Sequence, residues 1–260
     1  MSLKSVLIGT PIESIKEKHE RLPKTMGLAV FSSDALSSVA YGPEEILFAL
    51  IVGGTALLHY SMPVAIGIVA LIAIVSISYF QTIHAYPSGG GAYIVAKENL
   101  GIYPGLVAGA ALLIDYVLTV AVSISSGIAA ITSAFPELRS HTVTMCLLAI
   151  LFIMIVNLRG VKESGKVFSI PVYLFIGSLL LLIVVSITKY FSLPRLSLQG
   201  FDETTSNAFP VFIILRAFAS GCATLTGIEA VSNGVRAFKA PEARNAGITL
   251  MWMAVILGVL

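Results

Sequence analysis

Charged side chains are scarce in this sequence, and their scarcity decides the class of protein. Only 12% of the 260 residues are Asp, Glu, Lys or Arg, whereas 57% are hydrophobic. Soluble globular domains carry about 25% charged residues, so this composition excludes an ordinary soluble domain. Windows of about 20 residues with almost no charge are typical of transmembrane helices. The sequence therefore predicts an all-α membrane protein.

Residue patterns that would support catalysis or a cofactor are also missing. The two cysteines, Cys146 and Cys222, lack metal-ligand spacing and are interpreted as small buried hydrophobic residues. The glycines at 89–91 follow a predicted membrane helix rather than a strand, so they do not form a nucleotide-binding loop. We predict that the protein is not an enzyme and has no cofactor and no nucleic-acid partner.

Seven apolar segments follow one another along the chain. They lie near 25–53, 61–83, 104–133, 141–158, 167–191, 209–234 and 246–260. A helix over the seventh would span only about 22 Å, less than the ~30 Å hydrocarbon core of a bilayer. We therefore expect the front portion of a longer transporter or channel, truncated after the start of the seventh transmembrane helix.

Basic residues are distributed unevenly between the two sides of the predicted membrane. With a cytoplasmic N-terminus, the inside segments hold Lys4, Lys16, Lys18, Arg21, Lys24, Lys97, Arg159, Lys162, Lys166, Arg236, Lys239 and Arg244, and the outside holds Arg139, Lys189 and Arg195. An excess of basic residues marks the cytoplasmic side. This bias predicts a cytoplasmic N-terminal segment at 1–24 and an extracellular loop at 192–208.

Two apolar segments are interrupted by small and hydroxyl-bearing residues. SSDALSSVAYG occupies 32–42 and contains Asp34, while SGCATLTGIEA occupies 220–230 and contains Glu229. Interrupted helices at corresponding positions of two halves indicate a transporter site. We therefore predict a broken first helix and a broken sixth helix.

These two positions fit a repeat of five helices. The first repeat would cover 25–191, and 209–260 would be the start of a second, incomplete repeat. Five is an odd number, so the second repeat would run in the opposite direction through the membrane. This is the inverted-repeat arrangement of many transporters.

Polar residues also recur along one face of the third segment. Asp115, Thr119, Ser123 and Gly127 are spaced every four residues and so form one stripe on a helix. The stripe is typical of the wall of a polar pathway. Alternatively, Thr119 and Ser123 bond back to carbonyls of their own helix.

Three acidic residues, Asp34, Asp115 and Glu229, therefore lie at comparable depth on three segments. An ionisable residue inside a membrane indicates a functional site by default. With hydroxyl and carbonyl oxygens, these carboxylates suit a hard cation, and Glu229 could also carry a proton. The structural alternative is that Asp34 or Glu229 pairs with Arg216.

Five motifs in chain order resemble those of the amino acid–polyamine–organocation transporter superfamily. The closer resemblance is to its KimA-type branch of bacterial potassium importers, related to Kup. The motifs are SSDALSSVAYG, AYPSGGGAYIVAKENLG, DYVLTVAVSIS, ITSAFP, and SGCATLTGIEAVSN with ARNA. The resemblance implies the LeuT fold in a bacterial cytoplasmic membrane, with proton-coupled potassium uptake by a homodimer.

The same resemblance implies a set of potassium-coordinating residues. These are Asp34, Tyr41, Asp115, Thr119, Ser123, Thr226 and Glu229. All of them carry an oxygen in the side chain. We expect them to bind the ion near the membrane midplane during alternating access.

Rival functions remain open at this point. An amino acid or polyamine permease shares the superfamily motifs, although Asp34 would repel a substrate carboxylate and not a polyamine. A passive cation channel is favoured less, because a channel needs a continuous pore with several weak sites whereas interrupted helices indicate a carrier. A non-transporting membrane sensor is the remaining alternative.

Overall fold

The computed structural model describes residues 20–158, 160–192 and 210–260. The predicted N-terminal segment 1–24, apart from its last five residues, lies outside the described residues. The predicted extracellular loop 192–208 does so too, apart from Ser192.

The described chain is helical almost throughout. Its α-helices are α1 (Lys24–Val52), α2 (Ser61–Ala85), α3 (Gly91–Leu100), α4 (Ile102–Ala134), α5 (Thr142–Leu158), α6 (Val161–Ser192), α7 (Pro210–Gly221), α8 (Ala230–Asn233) and α9 (Glu242–Val259). Short 3-10 helices lie at Thr55–Tyr60, Pro136–His141, Cys222–Leu225 and Val235–Ala237. The all-α prediction is confirmed.

Six stretches of the described chain are long and apolar enough to cross a membrane. They are Lys24–Val52, Thr55–Ala85, Ile102–Ala134, Pro136–Leu158, Val161–Ser192 and Pro210–Asn233. These correspond to the first six predicted segments. The seventh predicted segment is helical as α9 but is not among the six, and its first turn carries Glu242 and Arg244.

The predicted break at 32–42 is wrong, because α1 continues through these residues without interruption. The hydroxyls of Ser37 and Ser38 donate to the carbonyl of Asp34, one turn earlier, at 2.7 and 3.3 Å. Serines that bond back to their own helix are satisfied without unwinding it. The polar run in the first segment therefore stays helical.

The sixth segment leaves the α-helix where the sequence predicted, at 220–230. The segment passes through the 3-10 helix Cys222–Leu225 and becomes extended at Thr226, with φ −64° and ψ 145°. Gly227 follows with φ +85°, a left-handed conformation that favours glycine. We call residues 222–229, between α7 and α8, the interruption.

Helix α1 lies at the centre of the packing. It contacts α7, α9 and α6, and it is also in contact with the interruption. Eleven of its residues are buried, whereas α5 has none and exposes large apolar side chains. The centre of the core is therefore α1 with the interruption, the two elements that carry Asp34 and Glu229.

The residues before α1 are joined to those before α9. Leu22 donates its N–H to the carbonyl of Ala237 at 2.7 Å and accepts a hydrogen bond from the N–H of Lys239 at 3.0 Å. Arg21 forms an ion pair with Glu242, the first residue of α9. We call this set of contacts the clasp.

Candidate cation-binding site

The backbone of the interruption lies directly against Asp34. A Cβ added to Gly227 would lie 2.7 Å from the backbone nitrogen of Ala35 and 2.8 Å from Cγ of Asp34. Such separations are shorter than real Cβ contacts, so only glycine fits there. The left-handed backbone and the close approach together place the interruption beside the Asp34 carboxylate.

Hydroxyl groups join α1 to the interruption. Ser38 is fully buried, and its Oγ lies 2.8 Å from Oγ1 of Thr226 and 3.1 Å from the hydroxyl of Tyr41. The hydroxyl of Thr226 also donates to the carbonyl of Ala223 at 2.8 Å. Two predicted site residues, Tyr41 and Thr226, thus meet through Ser38, a serine of the polar run at 32–42.

A second hydroxyl pair joins α1 to α4. The Oγ atoms of Ser37 and Ser123 are 3.0 Å apart, and Ser37 already donates to its own helix, so Ser123 is the donor. Thr119 is half-buried on the same face of α4 but makes no side-chain hydrogen bond with the described residues. The predicted stripe therefore faces α1 at Ser123, which bonds across helices rather than back to α4.

The three predicted acidic residues come near enough to interact. Asp34 interacts electrostatically with Asp115, and Glu229 interacts with both. Glu229 is only 8% exposed. Within the described chain, Oδ1 of Asp34 and Oε1 of Glu229 are buried without a hydrogen-bond partner. Neighbouring carboxylates out of water repel one another, so this arrangement favours a bound cation.

Arg216 does not neutralise this cluster. Its side chain is exposed on α7, and among the described residues it forms no ion pair with Asp34 or Glu229. The structural alternative of a buried ion pair therefore does not apply to either acid.

The carboxylates do not form a compact metal centre. Over the described ranges, no group of three or more His, Cys, Asp or Glu side chains is placed to hold a metal ion. Hydroxyl and carbonyl oxygens would have to supply most of the ligands of a cation here. Such neutral oxygens are the ligands with which potassium channels replace the hydration shell of the ion.

A cavity of about 980 Å³ lies beside this site, between α1, α4, α6 and the interruption. Ser37, Tyr41 and Ser123 line it together with Glu44 and Glu45. Sequence reasoning missed these two glutamates. The signal that could have found them is their position three and four residues after Tyr41, on the same side of the helix.

The sequence profile described as "Amino acid permease" matches residues 22–260. The chain belongs to this amino acid permease family. The family consists of transporters rather than enzymes, and membership implies a LeuT-like fold. With its six candidate spans, the chain is a multi-pass membrane protein.

A curated relative carries a more specific description. Over 264 aligned residues, the chain is 50% identical to "Potassium transporter KimA" of Bacillus subtilis (strain 168). The alignment covers 100% of this chain and 43% of that protein. The chain therefore spans less than half the length of this relative.

Replacing Ser38 by alanine should destabilise the junction between α1 and the interruption. The change leaves the hydroxyls of Tyr41 and Thr226 without their shared partner, at a cost of about 1–2 kcal/mol. The midpoint of thermal unfolding in detergent should fall accordingly. Ser33→Ala is the matched control, because Ser33 is exposed and bonds only to the carbonyl of Val30 in its own helix, at 3.0 Å. Equal midpoints for the two variants would contradict the bridging role of Ser38.

Proposed function

We propose that this chain forms the cation-binding part of a potassium:proton symporter that works by alternating access. The observation that carries the proposal is the approach of Asp34, Asp115 and Glu229 from α1, α4 and the interruption. Two of these carboxylates have buried oxygens without partners in the described chain. A cation bound near these acids would offset their mutual repulsion.

The proposed ligands are the seven residues that the sequence motifs imply. They are Asp34, Tyr41, Asp115, Thr119, Ser123, Thr226 and Glu229. Potassium is the proposed ion because the relative with 50% identity is described as a potassium transporter. Glu229, the most buried of the acids, is proposed to exchange the coupled proton.

The proposal extends to the membrane arrangement. The excess of basic residues supports a cytoplasmic N-terminus, and the relative from Bacillus subtilis supports a bacterial cytoplasmic membrane. The interruption at the start of 209–260 supports an inverted repeat of 25–191, although α1 is continuous where the repeat predicts a break. A homodimer of the full-length protein completes the proposal.

A polyamine permease is the second candidate. The family description favours an organic substrate, and a cavity of about 980 Å³ is at the upper end of the roughly 300–1,000 Å³ typical of ligand pockets. An amino acid would bring its carboxylate towards Asp34, Glu44 and Glu45, and these acids would repel it. A polyamine would bring only positive charge.

Growth of cells that lack their own potassium importers tests these functions directly. We expect the full-length protein to restore growth at limiting potassium and to take up rubidium as a tracer. Excess polyamine should not compete. If the protein failed to restore growth and took up a polyamine or an amino acid instead, that compound rather than potassium would be the substrate.

Replacing Glu229 by glutamine should abolish the proton transport that is coupled to potassium transport. In proteoliposomes holding the full-length protein, an inward potassium gradient should acidify the lumen. We expect Glu229→Gln to reduce this acidification at least tenfold, because an intramembrane carboxylate relays protons and an amide does not. Glu98→Gln is the control, since Glu98 is exposed on α3. Unchanged acidification with Glu229→Gln would mean that another acidic residue carries the coupled proton. If the wild type itself caused no acidification, a passive channel would be favoured over a symporter.

A further inference from the structure

Asn233 lies where three elements of the structure meet. It is the last residue of α8, and its backbone N–H donates to the carbonyl of Glu229 at 2.9 Å. Its side-chain Nδ2 donates to the hydroxyl of Tyr116 on α4 at 2.5 Å. Its backbone carbonyl accepts the N–H of Gly90 at 3.3 Å. One residue thus connects the interruption, α4 and the glycines that precede α3.

The glycines at 89–91 are fitted closely around Asn233. Gly89 has φ +78°, and a Cβ there would lie 2.8 Å from the backbone oxygen of Asn233. Gly91 has φ +45°, and a Cβ there would overlap the side-chain Oδ1 of Asn233. The absence of side chains lets this loop, residues 86–90, lie directly on the end of α8.

Tyr116 brings this contact to the acidic cluster. The tyrosine follows Asp115 in sequence, and its phenol interacts electrostatically with Glu229, Asp34 and Asp115. The hydrogen bond from Asn233 therefore fixes the hydroxyl of the residue that follows Asp115, within electrostatic range of the three carboxylates. A shift of Asn233 would move both this hydroxyl and the carbonyl of Glu229.

We propose that Asn233 is a positioning residue of the cation site. It acts through Tyr116, and it links the position of the loop at 86–90 to the spacing of the three carboxylates. The inference rests on the proposed function for its effect on potassium. Its geometric part, the coupling of Asn233 to Tyr116 and to the loop, is independent of the transported ion.

A double-variant cycle in the full-length protein tests the positioning role. We expect Asn233→Ala to raise the half-saturating potassium concentration about fivefold, the effect of one lost hydrogen bond, with little change in maximal rate. Tyr116→Phe removes the same hydrogen bond, so the double variant should be no worse than the worse single variant. Ser232→Ala is the matched control, because Ser232 is buried beside Asn233 and its hydroxyl has no partner within the described residues. Additive effects, or an equal change in Ser232→Ala, would overturn the proposal.

The contact between Asn233 and the glycines at 89–91 is tested from the other side by Gly91→Ala, at the first residue of α3. The new methyl group would displace the Asn233 amide, so this variant should raise the half-saturating concentration as Asn233→Ala does. Gly177→Ala is the control, since a Cβ there meets nothing within 4 Å. A normal half-saturating concentration in Gly91→Ala would show that the loop is not coupled to the site.

A readout that needs no transport separates this proposal from the proposed function. Cys222 is half-buried in the interruption, so its rate of maleimide labelling in a Cys146→Ser background reports how firmly the interruption is held. We expect Asn233→Ala and Tyr116→Phe each to raise that rate, and Ser232→Ala to leave it unchanged. Faster labelling in a protein that takes up no potassium would sustain the positioning role and reject the proposed ion. Normal potassium uptake with unchanged labelling and unchanged half-saturation would reject the positioning role alone.

Discussion

Asp34→Asn is expected to lower potassium uptake by the full-length protein about 100-fold at limiting potassium, equivalent to about 2.7 kcal/mol. Asparagine has nearly the same shape, so the contact with Gly227 and the helix packing are kept. What is lost is one negative charge with a buried oxygen that has no hydrogen-bond partner in the described chain. The loss of uptake would therefore report the charge rather than the fold.

Two measurements make this result decisive. Rubidium uptake over a range of concentrations should show a raised half-saturating concentration, while the amount of protein in the membrane stays the same. Glu98→Gln, which also removes one carboxylate but from an exposed position on α3, should transport normally. Wild-type uptake by Asp34→Asn would remove Asp34 from the site.

Gly227→Ala should have the largest effect on stability. Its φ of +85° costs an alanine about 1–2 kcal/mol. The new Cβ would also press on the backbone at Ala35 and on Asp34, at a further cost of about 1–3 kcal/mol. We expect the free energy of unfolding to fall by about 3 kcal/mol, measured by denaturation in detergent.

Gly177→Ala is the matched control for this substitution. Gly177 lies inside α6 with open space at the Cβ position. Alanine is favoured over glycine within a helix by about 0.5–1 kcal/mol, so this variant should be as stable as the wild type or more so. A Gly227→Ala protein of normal stability would mean that the interruption does not pack against α1 as described.

Local features of the sequence predicted the elements that depend on local physics. Runs of apolar residues predicted the six candidate spans, because the hydropathy of a segment depends only on its own residues. The glycines and threonines at 220–230 predicted the interruption, because Gly227 permits a left-handed backbone.

The same reasoning failed where the outcome depends on contacts. The serines at 32–42 resemble an interruption by composition, yet Ser37 and Ser38 bond to their own helix and α1 continues. A sequence does not show whether a hydroxyl group will bond to a carbonyl of its own helix or to a neighbouring helix.

Contacts between helices could not be predicted from the sequence either. The four-residue spacing placed Ser123 on one face of α4, but its bond to Ser37 depends on how α1 and α4 are packed. Glu44 and Glu45 follow Tyr41 by three and four residues on the same side of α1, but the sequence does not show which helices that side faces. Only the cavity formed with α4 and α6 gives them significance.

The clasp makes α1 and α9 mechanically dependent on each other. The paired backbone at Leu22 and the ion pair between Arg21 and Glu242 join the two helices at the residues where they begin. Phe31 of α1 also stacks on Phe238, with ring centroids 5.3 Å apart. A tilt of α1 at this end must therefore either break all of these contacts or move the start of α9 along with α1.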